Sequence, residues 1–139
     1  MAILYNIDVT VPDIEHTLIL MTTRSFKAQH TASERAAMSL KIRAKYPDKT
    51  PVICEKNSKS LIPDISKKKY LLPSNLTVGH FLYVIRKMLK LPGTQAIYLC
   101  VNGSIPTTAM LMTELYADHA DPDGFLYVQY CDQSAFGGF

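Results

Sequence analysis

The chain has few cysteines, no membrane-length apolar segment and no sign of a secretory signal. Its 139 residues include three cysteines, Cys54, Cys100 and Cys131, and no Cys-x-x-Cys spacing. An odd number of distant thiols favours buried cysteines in a reducing compartment over a disulfide framework. No apolar run approaches the length that spans a bilayer, and the first residues carry Asp8 and Asp13 without an early lysine or arginine. We therefore expect one cytoplasmic domain with a substantial core.

Residues that could carry catalysis or hold a cofactor are also sparse. The sequence has no glycine-rich phosphate loop and its four histidines are scattered, so we expect neither a metal nor a cofactor. Cys131 could act as a nucleophile with His119 or His80 as its base. No spacing supports that pair, and all three cysteines fall in or beside predicted strands, where a small buried thiol is usual. The sequence therefore favours a protein that is not an enzyme.

Basic residues are absent after Lys90. All 15 lysines and arginines lie between Arg24 and Lys90 with only four acidic residues, so this segment carries +11 and the remainder −8. Such segregation predicts one basic face, which favours acidic partners, although solvated lysine heads without a partner would give the same pattern. Nucleic acid is a weaker candidate, because the basic segment contains no known nucleic-acid-binding motif.

The order of predicted elements indicates an α+β fold. Thr31-Ala-Ser-Glu34 is typical of a capping box and begins a helix that ends near Tyr46. A longer helix between Thr77 and Pro92-Gly93 carries an apolar stripe at helical spacing, made of Val78, Phe81, Leu82, Ile85, Met88 and Leu89. The apolar run "AIYLCV" predicts a buried central strand. The remaining elements complete a β-β-α-β-α-β order that suggests a β-grasp sheet: strands Thr50–Lys56, Lys67–Pro73 and Phe125–Tyr130, and a helix from about Thr108 to His119.

Four segments resemble one known family. "TPVICEK", "IPDISKKKYLLPSNLTVGHFLYVIRK", "IYLCVNGSIPTTAMLMTELYADH" and "DPDGFLYVQY" are similar, in this order and spacing, to the autophagy ubiquitin-like modifiers of the GABARAP and microtubule-associated light-chain group. The resemblance runs from about Phe26 to Gly137. It implies a ubiquitin-like β-grasp with a mixed four-stranded sheet and a long crossing helix, preceded by N-terminal helices. The implied division is an extension over 1–20, a helical segment over 21–49, the core over 50–132 and a flexible tail over 133–139.

The resemblance also implies a chemistry for the C-terminal "FGGF". Family members are trimmed by a cysteine protease to expose a glycine, which activating and conjugating enzymes attach to phosphatidylethanolamine on autophagosome membranes. Phe136-Gly137 matches the aromatic-glycine pair of the family, and the second glycine, Gly138, leaves cleavage after either residue open. A residue without a Cβ lets an enzyme cleft close on the backbone. The implied location is the cytoplasm, and the autophagosome membrane after lipidation.

A second implied function is the docking of cargo receptors with short acidic aromatic-x-x-aliphatic motifs. Such a peptide would add as a strand beside Lys69–Leu72, whose alternating side chains point to opposite faces. The resemblance implies an aromatic pocket lined by Ile42, Pro51, Ile53, Lys69, Leu71 and Phe125. It implies an aliphatic pocket lined by Tyr70, Leu72, Pro73, Leu76, Phe81 and Val84, with Arg86 nearby. The acidic flank would contact Lys49, Lys67, Lys68 and Lys69, which would also discourage edge aggregation.

Three positions depart from the family pattern. Met38 stands where many members have glutamate, which removes a polar contact at the rim of the implied aromatic pocket. Met88 replaces a frequent basic residue, and "IPTT" lacks a second proline. These changes concern motif preference and contacts with processing or conjugating enzymes, and none touches the glycines. The rival interpretation is a ubiquitin-like adaptor that is not conjugated and binds trafficking or cytoskeletal partners through the same pockets.

Residues 1–20 precede the part of the chain that resembles the family. Alternate residues from Ile3 to Val11 are apolar, which is the period-2 pattern of a strand with one apolar face, and Pro12 ends it. A strand this short needs a neighbouring edge. We expect Ile3–Val11 to add to the sheet at Lys67–Leu72, within one chain or between two, and to obstruct motif binding there. Packing elsewhere on the domain and disorder are the alternatives.

Overall fold

A computed structural model describes residues 5–6 and 25–136 of the chain. The described strands are β1 (Tyr5–Asn6), β2 (Lys49–Lys56), β3 (Lys69–Pro73), β4 (Tyr98–Cys100) and β5 (Leu126–Cys131). The helices are α1 (Phe26–Gln29), α2 (Ala32–Lys45), α3 (Val78–Leu89) and α4 (Met112–His119), followed by a 3-10 helix over Gln133–Phe136. Within these described residues, no helix is long and apolar enough to cross a bilayer.

Side-chain caps fix the ends of the two long helices. The Thr31 hydroxyl accepts from the Glu34 amide at 3.2 Å, and the Glu34 carboxylate accepts from the Thr31 amide at 2.7 Å. This is the predicted capping box, and α2 follows it. Thr77 caps α3 by accepting from the His80 amide at 3.1 Å. α3 ends before Pro92, because Lys90 takes a left-handed φ of 56° and closes the last turn.

The sheet is mixed, with the strand order β1-β3-β2-β5-β4. β2 lies at its centre, antiparallel to β3 and parallel to β5, and β4 is antiparallel to β5. The chain passes from β3 to β4 through α3, which packs across one face. These strands and helices confirm the predicted α+β fold, a four-stranded mixed sheet with a long crossing helix and helices before it. β1 adds a fifth strand at the free edge of β3.

Different elements cover the two faces of this sheet. On one face, α3 and α4 bury the main core against alternate strand residues, among them Val52, Tyr70, Leu72, Leu99 and Val128. On the other face, Phe26 of α1 joins Ile53 and Phe125 in a smaller cluster, against which Met38, Ile42 and Tyr127 pack. The apolar stripe of α3 is narrower than predicted, because Met88 is 39% exposed.

The segment predicted as a central strand lies at an edge of the sheet. β4 is only three residues long and pairs with β5 alone, so the prediction of a central strand was wrong. Its run is nevertheless apolar because Ile97, Leu99 and Val101 point into the main core. An edge strand covered by helices on one face has the same composition as a central strand.

Two other predicted boundaries moved. β3 begins at Lys69 and not at Lys67. Just before it, the Lys68 carbonyl accepts a hydrogen bond from the Cys54 amide of β2 at 2.8 Å. α4 begins at Met112 and not near Thr108. The residues before it form a turn, in which the Met110 amide donates to the Thr107 carbonyl at 3.2 Å. The Thr108 and Met110 carbonyls of this turn accept from the amides of Gly79 and Val78, at 2.9 and 2.8 Å. The first turn of α3 therefore uses this segment as its hydrogen-bond partner.

A buried ionic network fixes α2 to the turn before β5. Arg35 Nη1 lies 2.7 Å from Asp123 Oδ2, with only 13% and 4% of the two side chains exposed. The Tyr127 hydroxyl donates to the same carboxylate, and the Ser39 hydroxyl donates to the Asp123 carbonyl. Burial and the bond to Asp123 raise the pKa of Tyr127. The network holds the helical segment against the sheet with no unsatisfied charge.

Candidate functional site

The register of β2 and β3 determines which of the predicted site residues lie beside one another. Pro51 lies opposite Leu71, and Ile53 lies opposite Lys69. Because side chains alternate along a strand, these four share one face of the sheet, and Tyr70 and Leu72 point to the other. The two predicted sets therefore divide between the faces of β3, except that Pro73 of the aliphatic set falls on the face of Lys69 and Leu71.

The residues predicted for the aromatic pocket lie together between α2 and the sheet. Ile53 and Phe125 belong to the smaller cluster, and Ile42 packs against it from α2. Leu71 is buried at 1% exposure, whereas Ile42 and Lys69 are half-buried and form the accessible part of the set.

Phe26 belongs to this cluster, and sequence reasoning missed it. Its ring meets Phe125 edge-on at 5.5 Å between centroids, and Lys69 Nζ lies 5.8 Å from the centre of the Phe26 ring. Met38, which the resemblance places at the rim of the aromatic pocket, also packs here. The only local sign of α1 is Ser25, whose hydroxyl accepts from the Ala28 amide at 3.1 Å and caps a four-residue helix.

The residues predicted for the aliphatic pocket are mainly core residues. Tyr70, Leu72, Leu76 and Phe81 all lie in the main core, and the Tyr70 and Phe81 rings meet edge-on at 5.4 Å. The Tyr70 hydroxyl donates to the Lys67 carbonyl at 2.7 Å. Pro73 and Val84 are half-buried and are the members nearest to solvent. The buried members therefore belong to the core, and Pro73 and Val84 are the partly accessible residues of the predicted set.

Arg86 is held by the loop that follows α3. Its guanidinium donates to the Pro92 carbonyl at 3.2 Å and to the Gln95 carbonyl. These bonds tie the end of α3 to the approach to β4. Arg86 therefore has a structural role in this conformation. The resemblance implies a position near the aliphatic pocket.

The predicted acidic-flank lysines are partly engaged within the chain. Lys68 Nζ lies 3.1 Å from Glu55 Oε2, an atom that also accepts from the Phe26 amide at 2.9 Å. Lys49 and Lys67 are half-buried at the two ends of the β2–β3 pair. An acidic peptide would compete with Glu55 for Lys68.

The outer edge of β3 carries β1. Tyr5 lies opposite Leu71 and Asn6 lies opposite Tyr70, in antiparallel register. Two residues of the segment Ile3–Val11 are therefore a strand on the edge where the sequence expected it, and the others lie outside the described residues. This is the same edge to which a docked peptide would add.

The C-terminal segment is anchored as far as Phe136. The Asp132 amide donates to the Ser60 hydroxyl at 3.1 Å, and the Ser134 amide donates to the Asp132 carboxylate at 3.0 Å. The Phe136 ring meets the Tyr98 ring edge-on at 5.6 Å. Gly137 and Gly138 lie outside the described residues, directly after this anchor.

Cys131, considered above as a nucleophile with a histidine base, contacts a second cysteine instead. Cys131 Sγ lies 2.9 Å from Cys100 Sγ, and its thiol donates to the Tyr98 carbonyl at 3.8 Å. His119 Nδ1 instead lies 3.1 Å from Asn102 Nδ2. Burial, together with the bond to Cys100, raises the pKa of Cys131 to about 12, which opposes a thiolate at neutral pH. Over residues 5–6 and 25–136 no group of three or more metal-ligating side chains is assembled.

Known proteins are similar to this chain in both sequence and fold. A family model described as "Autophagy protein Atg8 ubiquitin like" matches residues 34–137. The chain is 52% identical over 113 residues to Autophagy-related protein 8 of Mycosarcoma maydis, covering 81% of this chain and 96% of that protein. It is 49% identical over 118 residues to Autophagy-related protein 8b of Arabidopsis thaliana, covering 85% and 97%.

Two solved structures have the same architecture. The crystal structure of Trypanosoma brucei ATG8 is 36% identical, with a TM-score of 0.77 over 82% of this chain and 98% of that one. Plasmodium falciparum Atg8, solved in complex with a Plasmodium falciparum Atg3 peptide, is 37% identical, with a TM-score of 0.70 over 77% and 94%. The chain therefore belongs to the Atg8 family and is a ubiquitin-like modifier of autophagy.

Proposed function

We propose that this protein is trimmed at Gly137 or Gly138 and joined through the exposed glycine to phosphatidylethanolamine on autophagosome membranes. The observation that carries the proposal is the junction at Phe136. The chain is anchored there by the Tyr98 ring, and two residues without a Cβ follow at once. The match to the family model also ends at Gly137.

This junction suits the chemistry. A protease must bring a nucleophile to the peptide carbonyl after glycine, and a side chain there would obstruct its cleft. The glycine carboxylate would then be adenylated by ATP with release of pyrophosphate. Its acyl group would pass to a thiol with release of AMP, and then to the lipid amine with release of that thiol. The chain acts in each step as the substrate. It starts in the cytoplasm and reaches the membrane only through the lipid.

The processing cysteine protease and the activating and conjugating enzymes are the partners this proposal requires. The solved complex of Plasmodium falciparum Atg8 with an Atg3 peptide supports a peptide-docking mode in the family. We infer the same class of contact here, and extend it to cargo receptors with acidic aromatic-x-x-aliphatic motifs.

The docking site would be the β3 edge with the half-buried residues beside it. Backbone bonds to β3 would supply affinity, and the alternation of Lys69–Leu72 would present different side chains to the two faces. Ile42 and Lys69 would meet the aromatic residue on one face, and Val84 would meet the aliphatic one on the other. Lys49, Lys67 and Lys68 would attract the acidic flank.

β1 would compete for this edge. Its pairing with Leu71 and Tyr70 already uses the outer edge of β3. A docked peptide needs the same donors and acceptors, so binding requires β1 to leave. The extension would thereby lower the apparent affinity for a motif.

Reconstitution tests the proposal. The full chain is mixed with a matched protease, activating and conjugating enzymes, ATP and liposomes that contain phosphatidylethanolamine. The proposal expects a product that has lost its terminal residues and gained one lipid. A full-length, unmodified chain in a mixture that lipidates a known family member would favour the unconjugated adaptor.

A further inference from the structure

The sheet brings two cysteines into contact away from the proposed docking site. The Sγ atoms of Cys100 and Cys131 lie 2.9 Å apart, although 31 positions separate them in the chain. Tyr98 lies opposite Cys131 and Cys100 lies opposite Gln129 across the β4–β5 pair. The two cysteines are therefore diagonal neighbours on one face of the sheet. A disulfide bond is about 2.05 Å long, so less than about 1 Å separates these thiols from bonding distance.

One of the two thiols is accessible and the other is not. Cys100 is half-buried and lines an open groove of about 790 Å³ together with Asn57, Gln129 and Phe136. Cys131 is fully buried beneath it. This arrangement of an accessible thiol above a buried one is typical of an attacking and a resolving cysteine.

Cys54 provides an internal comparison. It is fully buried in the main core, on the other face of the sheet, and its pKa is raised by burial. The structure gives it no thiol neighbour and no route to solvent among the described residues. Core packing is therefore enough to explain Cys54. Core packing does not explain why Cys100, which lines a groove, contacts Cys131.

We propose that Cys100 and Cys131 form a reversible redox site, which a small disulfide such as glutathione disulfide converts to an intramolecular disulfide. The Cys100 thiolate attacks one sulfur of glutathione disulfide, which forms a mixed disulfide and releases one glutathione thiolate. Cys131 loses its proton to solvent or to that thiolate, and its sulfur attacks the Cys100 sulfur. The second glutathione leaves, so one protein dithiol and one glutathione disulfide give one protein disulfide and two glutathione molecules.

The order of attack follows from the two environments. The pKa of Cys131, raised to about 12 by burial and by its bond to Cys100, keeps this thiol protonated until Cys100 has reacted. The product would link β4 to β5 beside the Tyr98 carbonyl, just before the segment that presents Phe136. Closing a loop of this length restricts the unfolded chain, so the oxidised protein should melt at a higher temperature.

Thiol counting by intact mass tests the site on the full chain. The reduced protein is incubated with glutathione disulfide, quenched in acid, unfolded and labelled with N-ethylmaleimide. Reduced protein should take three labels, one for each cysteine. Oxidised protein should take one label and retain no glutathione, and dithiothreitol should restore all three.

Single substitutions separate the roles of the thiols. Cys131→Ser should stop at one stable glutathione adduct, because the resolving thiol is missing. Cys100→Ser should retain its two thiols and take no glutathione. Cys54→Ala is the matched control and should still lose the Cys100–Cys131 pair. Each variant is first checked for a cooperative thermal transition, and Cys131→Ala replaces Cys131→Ser if the hydroxyl prevents folding.

Three results would overturn the proposal. Folded wild-type protein could keep three thiols under conditions that oxidise the unfolded chain. It could keep a glutathione adduct that Cys131 never resolves. It could also lose thiols only through disulfide-linked dimers on a non-reducing gel.

Discussion

Tyr5 lies opposite Leu71 in antiparallel register, so the edge that should receive a docked peptide already pairs with another segment of the same chain. Leu71 pairs on its other side with Pro51 of β2. β3 is thus an interior strand in this conformation and becomes an edge strand only when β1 leaves. The proposed docking function and the state of residues 1–20 are therefore coupled.

Deleting residues 1–20 should strengthen motif binding. Among the described residues, two pairs join β1 to β3, and hydrogen bonds of this kind contribute about 1 to 2 kcal/mol in total. Releasing them should raise the affinity for an acidic aromatic-x-x-aliphatic peptide roughly 5- to 30-fold in a calorimetric titration. Asn6→Pro in the full chain should act in the same direction because proline cannot continue the ladder, and Asn6→Ala is its control. Equal affinity for all four proteins would remove the masking role of β1.

Ile42→Ala should weaken peptide binding and also remove some folding stability, because Ile42 packs against the smaller cluster. Ile42 is half-buried at the accessible side of the aromatic set, so truncation removes apolar contact worth about 1 kcal/mol, or roughly fivefold in affinity. Leu40→Ala is the matched control, because Leu40 is on the same helix and 64% exposed. If both variants bind as wild type does, the aromatic residue docks elsewhere.

Leu71→Ala is a poorer probe than the sequence indicated. From the sequence, its truncation is expected to weaken binding without unfolding the protein. Leu71 is 1% exposed, so the change also removes core contact and should cost about 2 to 4 kcal/mol of unfolding free energy. Urea denaturation measures this cost, and a value below about 1 kcal/mol would show that the site relaxes around the cavity.

Most of the fold follows from local patterns, whereas the contacts between distant segments do not. The capping box at Thr31 and the cap at Thr77 are local signals, and both helices begin where they predict. The apolar run "AIYLCV" predicts a central strand, and this prediction is wrong because an apolar run does not reveal how many neighbours a strand has. Its true position depends on β5 pairing in parallel with β2, which is a long-range choice.

The candidate site shows the same division. Alternation along Lys69–Leu72 was enough to separate two sets of side chains, and the β2–β3 register then brought Pro51 and Ile53 beside one of them. Phe26 could not be assigned because its contact with Phe125 joins residues far apart in the chain. The Cys100–Cys131 pair was equally hidden, since only the β4–β5 register brings the two thiols together.

Gly124→Ala should destabilise the protein by about 2 to 3 kcal/mol. Gly124 has a φ of 94°, and an added Cβ would meet the Ser39 hydroxyl oxygen and, at 2.8 Å, the Arg43 guanidinium. Backbone strain and the displacement of α2 should therefore both contribute. Gly103→Ala isolates the strain, because Gly103 has a φ of 80° and open space around its Cα. We expect it to cost about 1 kcal/mol in thermal or urea unfolding. Equal losses for the two variants would exclude a packing role for Gly124.

Protonation of Asp132 in acid should lower the stability of the folded protein. The Ser134 hydroxyl and amide donate to its carboxylate and lower its pKa below the ordinary value of 3.8. A carboxyl with a lowered folded pKa stabilises the protein above its unfolded pKa, and this contribution is lost as the pH falls through the folded value. Ser134→Ala should raise the pKa of Asp132, measured by carboxyl NMR, and Ser58→Ala should leave it unchanged. An Asp132 pKa that Ser134→Ala does not raise would contradict this assignment.

Lipidation of chains with defined ends tests the central claim most directly. In the reconstitution without protease, a chain that ends at Gly137 or Gly138 should be lipidated, and a chain that ends at Phe136 should not. With protease, the full chain should be trimmed and lipidated, whereas the double variant Gly137→Ala, Gly138→Ala should stay unlipidated with an unchanged thermal transition. Lipidation of the double variant or of the Phe136-ended chain at the wild-type rate would contradict the account, as would failure of both glycine-ended chains.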